Sequence, residues 1–194
     1  IFINIYIKYI LLLSFFSLFG AERTSNLMAV CCDMWKPFLK IIKAMANNAL
    51  LILDRFHIMK MLNEAVDKTR KMEVARLDLP KEEDPLHKSK WCLLKRPENL
   101  TDNQATKMKD LLKQNLQSVK AYLLKESFQK FWNYTSAVWA GKFFDQWAYM
   151  AARSRIEPVR FSHSEFCFAV KSFHNAVGYA LFCSEPVQNA FLML

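Results

Sequence analysis

Two short apolar runs that each end in an aspartate constrain this chain more than any other feature. VCCDMW, residues 30–35, carries Asp33, and LLILDRFH, residues 50–57, carries Asp54. LMAVCCD (27–33) and ALLILD (49–54) are predicted to be short buried strands. WKPFLKIIKAMAN, between them, is predicted to be an amphipathic helix. Pro37 falls in its first turn, where a missing N–H costs nothing, and Phe38, Ile41, Ile42 and Met45 fall at helical spacing. Strand, helix and strand in so few residues make a βαβ unit, which implies parallel strands and a right-handed crossover. Both aspartates then stand at the carboxyl ends of neighbouring parallel strands, the edge where ligand sites of open α/β sheets gather. Either both are strand-end or helix-capping residues, or at least one is placed to hold a metal.

The rest of the chain reads as mainly helical. Three glycines among 194 residues are too few for the turns of an all-β protein. A second helix is predicted from Ile58 to about Leu77, with Met59, Leu62, Val66, Thr69 and Met72 as its apolar stripe and Lys60, Lys68, Arg70, Lys71 and Arg76 making it basic. DLPKEEDPLHKSK (78–90) is polar, carries two prolines and reads as a loop. Thr101 with Gln104 three residues on forms a capping box that starts the next helix. Met108, Leu111 and Leu112 continue it. Another helix runs from about Leu116 with Val119, Tyr122, Leu123 and Phe128. In the aromatic run that follows, Trp139, Phe143 and Trp147 recur every four residues and are expected on one face. That stripe reads first as core and second as a platform for stacking on bases. Residues 160–194 change character, apolar and Phe-rich without helical or strand periodicity.

Charge and cysteine content narrow the function classes. Net charge is +9, and residues 59–160 hold 20 Lys and Arg against 13 Asp and Glu. A basic excess on the helical part suits a nucleic-acid backbone or an anionic membrane. The five cysteines (Cys31, Cys32, Cys92, Cys167 and Cys183) include an adjacent pair and no CxxC spacing. They are neither a disulfide framework nor a zinc site, and read as reduced thiols. No G-x-S-x-G or defensible Cys–His spacing supports nucleophilic catalysis. IFINIYIKYILLLSFFSLF at the start is long enough for a membrane span, but it carries Asn4, Lys8, Ser14 and Ser17 and lacks a basic leader, so membrane insertion ranks behind a soluble reading. The chain does not start with Met and reads as a fragment or a frame entered midway.

FGAER, VCCDMW-P, LILDRFHIMK-LNEAVD, LLKRPENLT, YLLKE and the aromatics ending AARS together resemble bacterial insertion-sequence transposases of the ISL-three family, whose domain is of the DDE type. The resemblance runs from about Phe15 to Val159, and the ordered pair DMW then DRFH is its most specific part. It implies an α/β fold with a large helical part: a partial ribonuclease-H-like core with a short parallel βαβ over residues 15–77, then an all-helical insertion over 78–159. Residues 1–14 and 160–194 fall outside it, the latter as a frameshifted tail would. It implies metal-dependent DNA cleavage and strand transfer with Mg2+ as cofactor and double-stranded DNA, as element ends and target, as partner. Self-association and a cytoplasmic, nucleoid-associated location in a bacterium follow from the same resemblance. Position by position, the family's second acid falls on Asp33, which would be the catalytic and metal-binding carboxylate. The family's polar pair after the next strand falls on Asp54 and His57 in a supporting role; the other reading has Asp54 as a helix N-cap and His57 packed inside.

Two family features are missing from the sequence. Residues 1–14 hold no acid where an Asp-Glu strand is expected, and no NG-x-x-EG-x-NN motif follows Val159. With one acid of three, the chain is expected to be inactive alone. The competing expectations are a non-catalytic basic helical DNA-binding module and a small membrane-anchored protein.

Overall fold

The computed structural model describes residues 2–32, 35–53, 55–161 and 191–193. The chain divides into two compact units. The first takes in residues 1–58, 135–138 and 167–194, the second 59–134 and 139–166.

In the first unit the βαβ expectation holds. Strand β1 (Ala29–Cys32) leads into helix α3 (Lys36–Met45), which returns to strand β2 (Leu50–Leu53). The strands pair in parallel with Ala29 opposite Leu50 and Cys32 opposite Leu53. Pro37 occupies the opening turn of α3. Ile41 and Ile42 are its buried residues, while Met45, expected in the stripe, is exposed at the helix end.

A third strand, β3 (Phe191–Met193), pairs in parallel with the other edge of β1, giving the order β2–β1–β3. Its neighbours 162–190 lie outside the described residues, so β3 is the only part of the unplaced terminal stretch to which a register can be given. Central strand β1 is buried accordingly, with Ala29, Val30 and Cys32 all inaccessible. A continuous apolar run, rather than an alternating one, is what a parallel strand buried on both faces needs.

The apolar start forms helix α1 (Phe2–Phe19), followed by the short α2 (Ala21–Ser25). Helix α1 packs against α3, and Leu12 and Phe16 are its buried anchors. Gly20 joins the two helices at φ 89°, a left-handed conformation with open space where a Cβ would sit, so backbone geometry selects glycine here. Among the described residues no helix is long and apolar enough to cross a membrane.

The second unit is helical. Helix α4 (Arg55–Leu77) begins in the first unit and runs on into the second. It is followed by α5 (Lys90–Leu94), α6 (Asp102–Leu112), α7 (Gln117–Phe128), a 3-10 turn (Gln129–Asn133), α8 (Ala137–Arg153) and α9 (Glu157–Phe161). The segment 78–89 is a succession of turns, as its prolines require. The capping box forms as expected: the Gln104 N–H donates to Thr101 Oγ1 at 3.4 Å and the Thr101 N–H to Gln104 Oε1 at 3.3 Å.

The stripe of α4 differs from expectation at its edges. Ile58, Leu62, Ala65, Val66, Thr69 and Glu73 are buried, whereas Met72 is exposed and Met59 half-buried. The seam follows 3- and 4-residue steps that end on an acid.

The aromatic stripe of α8 also departs from the expected single face. Trp147 is 3% exposed and Trp139 60%. Each four-residue step advances about 40° around a helix, so two steps carry Trp139 roughly 80° away from Trp147. The buried face is instead Ala140, Phe144, Trp147 and Ala151, which alternate four- and three-residue steps and stay together. Trp147 packs edge-on to Phe128 at 4.9 Å and donates its ring N–H to the Leu124 carbonyl at 2.9 Å. Phe128 stacks on Phe131 at 5.3 Å.

Candidate functional site

The carboxyl edge of the sheet is fixed by the last register pair, Cys32 opposite Leu53. In sequence, Asp33 follows the first and Asp54 the second. Both aspartates lie outside the described residues, so the structure sets the strand ends that lead to them and not their carboxylates. His57 stands in the first turn of α4, half-buried, with its ring edge-on to the exposed Phe56 at 5.5 Å. Of the sequence-predicted site residues it alone has a described position.

Among the described residues no group of three or more His, Cys, Asp or Glu side chains is arranged to hold a metal ion. Cys31, Cys32 and Cys92 form no disulfide among the described residues, and burial pushes the Cys92 thiol above its ordinary value.

The basic helical unit is held together by two buried ions that apolar periodicity does not mark. The Glu73 side chain on α4 is 1% exposed. Its Oε1 accepts the Gln117 N–H at 2.8 Å, and its Oε2 accepts the Ser118 N–H at 2.7 Å and the Ser118 hydroxyl at 2.6 Å. These are the first backbone donors of α7, whose N-cap Leu116 has no side-chain oxygen to offer. An acid 44 residues upstream therefore does the capping, and its negative charge meets the positive end of the helix dipole. Arg76 approaches the same carboxylate at 3.2 Å.

Lys125 on α7 is 2% exposed. Its ammonium donates to the Leu93 and Leu94 carbonyls at 2.8 and 3.2 Å, at the carboxyl end of α5, and pairs with Glu126 at 3.1 Å. Burial pulls the Lys125 ammonium below its usual value, with Glu126 opposing. It also lies 5.0 Å over the ring of Tyr122.

Neutralisation limits the basic face of α4. Asp67 takes Arg70 at 2.8 Å and Lys71 at 2.9 Å. With Arg76 on Glu73, three of the five cations expected to face a partner are engaged on their own helix. Lys60 and Lys68 remain exposed and make no ion pair among the described residues. On α8, by contrast, cations stand over exposed rings: Lys142 at 4.7 Å from Trp139 and Arg153 at 4.1 Å from Tyr149. The spacings W-x-x-K and Y-x-x-x-R are visible in the sequence and would have separated these rings from the core stripe.

The sequence is similar to those of known proteins. A DDE transposase family model of the ISL3 type, described as "Transposase", matches residues 10–191. The transposase for insertion sequence element IS1001 of Bordetella parapertussis is 27% identical over 145 residues, covering 74% of this chain and 36% of that protein. The transposase for insertion sequence element IS1557 of Mycobacterium tuberculosis is 27% identical over 165 residues, covering 73% of this chain and 37% of that protein. The chain spans little more than a third of the length of these relatives. No solved structure matches.

Proposed function

Because the chain belongs to the ISL3 DDE transposase family, we propose that its β1–α3–β2 unit is one flank of a ribonuclease-H-like catalytic core. In this reading residues 78–159 are the helical insertion of that core, and double-stranded element-end and target DNA is the partner. Asp33 is the metal-binding carboxylate, with Asp54 and His57 in supporting positions. The observation that carries the reading is the parallel register of β1 and β2, which ends both strands level immediately before the two aspartates.

Magnesium, when bound at such a site, stabilises charge on the attacking and leaving oxygens of the phosphodiester. The contribution of this chain is positional: a rigid strand end is a fixed mount for a carboxylate, and the crossover helix holds the second strand at the same edge. One carboxylate is a fraction of the ligand set that this chemistry requires. In this reading the chain alone does not cleave or transfer DNA strands.

Incubation with element-end DNA and magnesium tests this directly. No product is expected from the chain alone. Magnesium-dependent cleavage that disappears in Asp33→Ala would show that the core is complete within these residues and overturn the reading.

A further inference from the structure

Helix α8 carries a second ordered face that its packing does not explain. Trp139, Lys142, Gln146, Tyr149, Met150 and Arg153 are all exposed. At 100° per residue they fall within an arc of about 100°, on the side away from the buried Ala140, Phe144, Trp147 and Ala151. Trp139 and Tyr149 are 60% and 56% exposed. Each ring has a cation from its own helix over it. No acid falls within the arc; Asp145, also exposed, stands about 40° beyond its edge.

The geometry points to a contact for single-stranded DNA on this face, in which Trp139 and Tyr149 stack on bases and Lys142 and Arg153 hold the phosphates between them. Along the helix the order is ring, cation, ring, cation, and the two rings are about 15 Å apart at 1.5 Å per residue. Aromatic rings alternating with cations along one groove or ridge are the working parts of single-strand binding, since every base has a face to stack. A duplex keeps its base faces covered, so it would use the two cations and leave the rings idle. A protein partner would have to bury both cations with no acid inside the arc to pair them, which is costly. An extended phosphate chain supplies the counter-charge along its whole length. The inference rests on the DNA-handling reading of the family and gives it a residue-level surface outside the strand-end acids.

The test is fluorescence anisotropy of the 194-residue chain against labelled oligothymidine and against the matching dA·dT duplex, without magnesium. Trp139→Ala and Tyr149→Ala are each expected to weaken single-strand binding about tenfold, with Trp139→Phe keeping most of the affinity. Lys142→Gln and Arg153→Gln are each expected to lower the salt slope by about 0.7. Both rings are exposed, so far-UV circular dichroism should be unchanged in every variant. Ring variants that bind oligothymidine as tightly as the parent chain would overturn the inference. So would ring variants that weaken duplex binding as much as single-strand binding, or a Trp139→Ala variant that dissolves a dimer while DNA binding stays the same. The measurement needs no metal, so a failure at Asp33 leaves it standing, and a failure here leaves the cleavage test standing.

Discussion

The sheet unit and the helical unit solve the same problem, satisfying backbone groups away from water, in opposite ways. In the sheet unit the strands satisfy each other, and the buried residues of β1 and α3 are apolar. In the helical unit acids and bases lie inside: Glu73 closes the start of α7, and Lys125 closes the end of α5. Short helices joined at angles leave many orphan N–H and C=O groups, and a long charged side chain from a neighbouring helix can reach them. The difference teaches where charge in this chain is free for function. Charge within the helical core is consumed by structure, while charge on the outward face of α8 is not.

Removing the interior ions is the strongest way to break that comparison. Glu73→Ala should destabilise the helical unit by about 3 kcal/mol or more, because two backbone donors and a hydroxyl lose a buried acceptor. Glu73→Gln, which keeps one carbonyl oxygen, should cost clearly less. Urea denaturation measures both, and equal, small losses would show that the carboxylate is not the cap.

Lys125→Met should cost about 1–3 kcal/mol by the same measurement, since the Leu93 and Leu94 carbonyls lose their donor while the packing of the stem is kept.

A pH series sharpens the picture around Lys125. Burial, with Glu126 and Glu98 adding, pushes the Tyr122 hydroxyl from its ordinary 10.0 up to about 12. The unfolded chain releases this proton first as pH rises, so the folded state loses stability between pH 10.0 and about 12. Compared with Tyr122→Phe, the parent chain should lose up to about 2 kcal/mol across that window. Parallel curves for the two proteins would mean that the hydroxyl is not buried in solution.

Thr101→Ala should cost about 1 kcal/mol through the lost capping box of α6. The smallest effect belongs to Lys113→Ala, whose ion pair with Asp110 is largely solvated on both sides and should be undetectable in the same denaturation assay.

Much of the fold was legible because apolar periodicity reports burial. The βαβ unit, the start of α6 at Thr101 and the turns after Leu77 all follow from spacing, proline and capping chemistry. What periodicity misreads is equally specific. Four-residue steps drift around a helix, so Trp139 reads with Trp147 although it faces solvent. A buried glutamate has no local signature, because the backbone donors it serves are 44 residues away. The pairing of β3 with β1 depends on a contact across most of the chain, and three residues carry no period of their own. At the site, the level ends of β1 and β2 were readable from the two aspartate-terminated runs. Asp33 and Asp54 themselves lie outside the described residues, so the roles proposed for them are argued from the family match and the register before them.

Iron-directed cleavage of the polypeptide tests the placement of Asp33 most directly. Ferrous ion at millimolar concentration, substituted for magnesium and driven with ascorbate and peroxide, cuts backbone close to where it binds. The account predicts scission concentrated just after β1, competed by magnesium, weakened in Asp33→Asn and retained in Asp54→Asn. A cleavage pattern that Asp33→Asn leaves unchanged would contradict it.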